Sequence, residues 1–133
     1  MPVFGKVSTE RLVQAHPDLQ RLLNEAIKHI DFSVVCTYRG REDQEAACAS
    51  GASTKHWPDS KHNSLPAIAA DLCPYRGGLQ WKDREAFYFL GGFLKGLASG
   101  MGIKIRWGGD WDGDNDFHDQ NLYDLPHIEL VNP

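Results

Sequence analysis

The run Ala67-Ile68-Ala69-Ala70-Asp71-Leu72-Cys73 decides how this chain folds. It is short, small and apolar apart from one carboxylate, which is the pattern of a buried strand. An ionised carboxylate in such a strand is costly unless it is paired or bound to a metal, so Asp71 is either half of a buried ion pair or a ligand. Upstream, residues 51–66 show no periodicity and read as an irregular loop. Before it come a helix over 41–50 that stops at Gly51 and a strand over 32–38 rich in β-branched and aromatic residues. Further back, Pro17 after His16 opens a helix in which Leu19, Leu22, Leu23, Ala26, Ile27 and Ile30 recur at helical spacing, and Ser8 is placed to cap a shorter first helix.

Downstream, Gly77 and Gly78 turn the chain into a helix over 83–99. Phe87, Leu90, Phe93, Leu94 and Leu97 form its apolar face, while Gly91, Gly92 and Gly96 weaken it and permit close packing. Residues 103–107 read as a strand, and an acidic stretch over 108–119 leads through Tyr123 to a last strand over 127–131. Helices and strands do not alternate regularly enough for a βαβ fold. The expectation is α+β, a small antiparallel sheet flanked by helices, in one domain spanning residues 1–133.

Composition narrows the function classes. Hydrophobic residues make up 41% and charged residues 24%, an ordinary globular profile that argues against disorder and fibrous repeats. Fourteen Lys and Arg stand against 18 Asp and Glu, a net charge of -4, which disfavours nucleic acid as a partner because phosphate binding needs a clustered basic surface. No apolar stretch approaches the ~18 residues that span a bilayer, so no membrane partner is expected, and the first residues lack the pattern of a signal peptide. Cys36, Cys48 and Cys73 are odd in number and irregularly spaced; they read as reduced packing residues.

Two segments combine imidazole and carboxylate in the way a catalytic zinc site requires, with three protein ligands and a fourth position for water. In the first, Ser60, Lys61 and His62 end the polar loop, and a short connection brings His62 to Asp71. In the second, Asp124, Leu125, Pro126 and His127 place a carboxylate three residues before an imidazole that opens the last strand. Taken alone, His62 and His127 read as ordinary polar residues. His16, His29 and His56 read as structural or solvated, and His118 fits either description.

These segments, with Ala70, Asp71, Leu72, then Trp107, Gly108, Gly109, Asp110, Trp111, then Asp124 to Leu130, resemble the zinc peptidases that include D-Ala-D-Ala carboxypeptidases and phage L-alanyl-D-glutamate endopeptidases. The resemblance runs from about Tyr38 to Val131. It implies zinc held by His62, Asp71 and His127 in a cleft on the sheet, with Asp124 as the catalytic acid and base. It also implies that Arg39, in Thr37-Tyr38-Arg39 with Gln44 following, holds substrate and stabilises the oxyanion. Ser60, Gln44, Tyr75 and Trp107 are expected to line the substrate. The nine-residue spacing from His62 to Asp71, with Pro66 between, departs from the shorter glycine-containing spacing of many members and is the longer form of phage-type lysins; Asp124 stands where many carboxypeptidases carry Glu, and this shorter acid favours an internal bond.

The expected protein is therefore a zinc peptidase acting on the peptide stem of peptidoglycan, between L-Ala and D-Glu, as a monomeric phage-type endolysin. It would be made in the host cytoplasm without a signal peptide and would reach the wall by holin-type release. A D-Ala-D-Ala carboxypeptidase and a non-catalytic zinc-stabilised wall-binding module are the alternatives. Asp124 and Arg39 argue against the module, because binding alone needs neither a base nor an oxyanion partner. Finally, Asp110, Asp112, Asp114 and Asp116 alternate around Gly113, an arrangement of oxygens used by calcium loops, although the terminal Glu of an EF-hand is missing. A solvated acidic loop is the other reading, and calcium-dependent adhesion through this loop would leave His62, Asp71 and His127 unexplained.

Overall fold

The structure, a computed structural model, describes residues 2–120 and 123–133. Its elements run α1 (Lys6–Leu12), α2 (Pro17–Ala26), β1 (Phe32–Cys36), α3 (Arg41–Ser50), β2 (Ala69–Pro74), α4 (Arg84–Gly100), β3 (Ile105–Gly108) and β4 (Asp124–Leu130). The strands form one antiparallel sheet in the order β1-β2-β4-β3, so the expected α+β architecture holds.

The pleat divides the sheet into two chemical faces. Val34, Ala70, Leu72, Ile128 and Leu130 point into the core, where they meet Leu90, Leu94 and Ala98 of α4 and Leu19, Leu22 and Leu23 of α2. Because side chains alternate along a strand, Asp71, His127 and Glu129 emerge on the opposite face. Cys36, Asp71 and His127 are successive register partners across β1, β2 and β4, which lines up a thiol, a carboxylate and an imidazole.

Local signals set most helix ends. Pro17 begins α2, and the Asp18 amide donates to His16 Nδ1 at 3.1 Å; Gly51 ends α3 at φ 83°, a left-handed cap that glycine adopts without steric penalty. Asp83 caps α4 by accepting from the Ala86 amide. Two expectations are corrected. Ser8 lies within α1 rather than capping it; Gly5 holds the cap position, and Ser8 Oγ accepts from the Val34 amide at 3.0 Å, tying helix to sheet. The last strand begins at Asp124 and not at His127.

Of the helical glycines, Gly91 permits the close approach the sequence led one to expect. A Cβ there would collide with the Trp107 ring. No helix among the described residues is long and apolar enough to cross a membrane.

Candidate active site

Asp71 and His127 are direct partners in the β2–β4 ladder, and Asp71 Oδ1 lies 3.2 Å from His127 Nδ1. The other oxygen, Oδ2, lies 3.4 Å from His62 Nε2 and 3.7 Å from an Arg39 guanidinium nitrogen. One carboxylate therefore joins both imidazoles and the arginine. The two imidazole rings sit edge to face at 5.3 Å.

His62 arrives from the irregular loop, which is stitched to the end of β1. The Arg39 amide donates to the His62 carbonyl at 2.8 Å, the His62 amide donates to Ser60 Oγ at 3.2 Å, and His62 Nδ1 donates to the Thr37 carbonyl at 2.7 Å. His127 is fixed in the same manner from its far side, with Nε2 donating to Glu129 Oε1 at 2.9 Å. Each ring has one nitrogen committed to an orienting acceptor and the other turned to Asp71, the arrangement that metal-ligating histidines use.

Asp124 joins this group through an irregularity in the β3–β4 ladder. Trp107 pairs with Ile128, so a regular register would put Gly108 opposite His127; its partner is Asp124 instead. The extra residues of β4 carry Asp124 to the same place as Asp71 and His127, with one ligand atom from each within 4.8 Å of the others. Gly108 makes this possible, since a Cβ there would collide with the Asp124 carbonyl. In the same motif, a Cβ on Gly109 would collide with the Trp107 ring.

The electrostatics follow from this clustering. Burial alone would favour neutral His62, but its hydrogen bonds to Asp71 and Cys36 raise its pKa to about 10. Burial likewise opposes charge on His127, and Asp71 and Glu129 overcome it to give about 9. Burial pushes Asp71 upward, yet His127 and His62 hold it well below the usual carboxylate range. Asp124 is pushed up, first by burial and then by the Asp71 charge. Without a metal the site is thus a carboxylate between two imidazolium ions. These donors, two imidazoles and a carboxylate with their outer atoms already held, fit a zinc ion chemically.

Other expected residues fall elsewhere. Gln44 is fully buried; its Oε1 accepts from Arg39 Nη1 at 3.1 Å and from Asn63 Nδ2 at 3.0 Å, while its Nε2 donates to Ser53 Oγ and the Lys55 carbonyl. It holds Arg39 and the loop together. Ser60 acts through the His62 backbone. Trp107 is buried against α4 and donates to the Leu125 carbonyl at 2.8 Å. Tyr75, half-exposed beyond the end of β2, lines a separate cleft with Ile30 and Phe89.

Sequence reading assigned no orienting role to Thr37 or Glu129, which hold the imidazoles, and no role to Asn63, which bonds Gln44. It took Cys36 for packing, whereas its Sγ lies 3.7 Å from both His62 Nδ1 and an Arg39 nitrogen. Burial opposes ionisation of this thiol, but His62 lowers its pKa. The strand alternation that predicts a polar face would have flagged Glu129; nothing in sequence spacing points to Thr37.

In the acidic loop, Asp110, Asp112 and Asp114 bring carboxylate oxygens within 4.8 Å of one another. Asp116 is not part of that group; its carboxylate accepts from the His118 amide and contacts the His118 ring, and its own amide donates to Asp114 Oδ1 at 2.8 Å. His118 is exposed, outside the imidazole–carboxylate cluster. Asp110 is pinned by Lys95 and the Asn115 amide.

A family model described as phage L-alanyl-D-glutamate peptidase matches residues 2–131. The L-alanyl-D-glutamate peptidase of Escherichia phage T5 is 34% identical over 134 residues, spanning 96% of this chain and 97% of that protein. The crystal structure of Serratia marcescens L-Ala D-Glu endopeptidase ChiX matches with a TM-score of 0.77 at 26% identity, covering 97% of this chain and 90% of that one.

Proposed function

We propose that this chain, which belongs to the phage L-alanyl-D-glutamate peptidase family, is a zinc-dependent endolysin that hydrolyses the L-alanyl-D-glutamate bond of the peptidoglycan stem. The observation that carries the reading is the single carboxylate of Asp71 set between His62 and His127, with Asp124 and Arg39 beside it.

His62 Nε2, an Asp71 oxygen and His127 Nδ1 would hold the metal. When bound, zinc supplies Lewis acidity, polarising the scissile carbonyl and lowering the pKa of water held there to roughly 7. Asp124 takes the proton of the attacking water and returns it to the departing D-Glu amine, acid–base work typically worth ~100- to 10,000-fold. Its half-buried, raised-pKa carboxyl suits a group that must both accept and give a proton. Arg39, held by Gln44, aims a fixed cation at the charge that develops on the carbonyl oxygen, an effect that grows where water is excluded. Hydrolysis leaves a free carboxyl on L-Ala and a free amine on D-Glu. Calcium in the loop of Asp110, Asp112 and Asp114 is the second metal this reading assigns, and release to the wall follows the holin route of phage lysins.

The test is mass spectrometry of fragments released from purified peptidoglycan. New D-Glu amino termini are expected. Release of free D-Ala with no D-Glu amine would make the enzyme a carboxypeptidase, and no release at all would leave a wall-binding module.

A further inference from the structure

The β1 strand is irregular where it meets the candidate site. Val34 pairs with Leu72, so a regular antiparallel ladder would set Val35 opposite Asp71; Cys36 stands there instead. An extra residue in one strand of a ladder re-aims the side chain that follows it, a device common beside active sites. Here it brings the Cys36 sulfur to the group of Asp71, His62 and Arg39, with Sγ 3.7 Å from both His62 Nδ1 and Arg39 Nη2. The thiol is partly buried, and the hydrolysis outlined above gives it no task.

Of these two neighbours, Arg39 is the one that depends on the sulfur. His62 Nδ1 already donates to the Thr37 carbonyl at 2.7 Å, which orients that ring. The Arg39 backbone is fixed on both sides, its amide donating to the His62 carbonyl at 2.8 Å and its carbonyl accepting from Asn63 Nδ2 at 3.0 Å. Its guanidinium is held by less. Nη1 donates to Gln44 Oε1 at 3.1 Å, and Nη2 donates to Cys36 Sγ at 3.7 Å. Asp71 Oδ2 is also 3.7 Å from Nη2, an ion-pair distance too long for a hydrogen bond between nitrogen and oxygen. Two acceptors on two nitrogens fix the plane of the fork, whereas Gln44 alone would leave it free to swing. A cation aimed at developing charge must be held without being neutralised, and sulfur, a weak acceptor, keeps the donor available to a carbonyl oxygen. A metal sharing the Asp71 carboxylate would weaken the pull of Asp71 on Nη2 and leave the direction of that nitrogen to Cys36.

We propose that Cys36 is a positioning residue for peptide-bond hydrolysis: its sulfur, together with Gln44 Oε1, holds the Arg39 guanidinium where charge develops on the scissile carbonyl oxygen. This role rests on the peptidase reading above, and it requires that Cys36 act through Arg39 and not through the metal.

The test uses the zinc-loaded whole chain and purified sacculi. Cys36→Ala, and Cys36→Val, which keeps bulk in the strand without an acceptor, should each lower kcat roughly tenfold with KM unchanged, the pattern of an interaction realised in the transition state. Zinc affinity, measured by competition with a chromophoric chelator, should stay at the wild-type value in both. In an Arg39→Ala background the same Cys36→Ala change should alter kcat by less than about twofold, because residues that act as a unit are not additive. Without substrate, NMR of the Arg39 guanidinium should show the Nη1 and Nη2 protons as separate signals in wild type and merged by rotation in Cys36→Ala. Wild-type kcat in either Cys36 variant, weakened zinc binding, or guanidinium signals unchanged by the substitution overturns the proposal. An equal loss of kcat with and without Arg39 also overturns it, since a generally loosened fold would give that result. Any of these outcomes, with sacculi cut by wild type, leaves the peptidase reading standing. If wild type cuts no sacculi, that reading fails, and the guanidinium signals alone decide whether Cys36 holds Arg39.

Discussion

Glu129 holds His127 from behind. Two residues further along β4, on the same face of the strand, it places Oε1 2.9 Å from His127 Nε2 and is itself 3.7 Å from the Arg106 guanidinium. Nδ1 is thereby left as the nitrogen that faces Asp71, the position a ligand must take.

The purified protein should carry one zinc per chain, and His62→Ala and His127→Ala should each lose it by elemental analysis. Glu129→Gln keeps a hydrogen-bonding group but loses the charge, and should weaken zinc affinity by ~10- to 100-fold. Stoichiometric zinc in both histidine variants would show that the ligands lie elsewhere.

Asp124→Ala should retain zinc and fold while losing at least ~100-fold in wall-lytic rate, because removing a base outside the metal shell affects turnover and not metal binding. Turnover close to wild type would transfer the role to another group, with Glu129 the nearest carboxylate on the same strand.

Gly108→Ala probes the same base through the backbone. The added methyl collides with the Asp124 carbonyl and must displace it. A shift of about 1 Å in a catalytic group can cost ~100-fold in kcat, so a large rate loss with zinc retained is expected. Unchanged kcat would mean that the register irregularity does not position Asp124.

In the metal-free protein the pKa values of His62 and His127 are raised from 6.5 to about 10 and about 9. Their contribution to stability is complete below pH 6.5 and is lost as pH rises through 9 to 10. Asp71 is shifted the other way, so its contribution is present above pH 3.8 and is lost on further acidification. Thermal melts of apoprotein should therefore weaken toward both ends. Zinc added at pH 7 must displace about two protons per ion, measurable by calorimetry in buffers of different ionisation enthalpy. Uptake without proton release would exclude these imidazoles.

Calcium at millimolar concentration should raise the melting temperature of zinc-loaded protein, and an Asp112→Asn, Asp114→Asn double variant should not respond. Binding to the folded state stabilises by about 2.7 kcal/mol at a hundred times the dissociation constant. An equal response in the double variant would reduce the loop to a solvated acidic surface.

Much of this architecture was legible in the sequence because it rests on local rules. Pro17 and Gly51 set helix ends through dihedral preference alone, and the leucines of α2 announce a buried face by their spacing. Asp71 could be singled out because a carboxylate among small apolar residues has few stable fates. What the sequence by itself determined is the set of groups available: which donors exist, and which strands and helices carry them.

Their meeting was decided by tertiary structure. The Asp71–His127 pair joins residues 56 positions apart, and only the β2–β4 register makes them neighbours. Asp124 reaches the cluster through an irregular ladder, which no two-residue alternation foretells. Gln44, fit for a substrate contact by composition, is buried because Arg39, Asn63, Ser53 and Lys55 together satisfy its amide. Ser8 has the chemistry of a cap, yet a strand amide from 26 residues away claims its hydroxyl. Hydrogen bonds and charges act over a few ångströms in space, and sequence order measures that distance only within a single helix turn or strand.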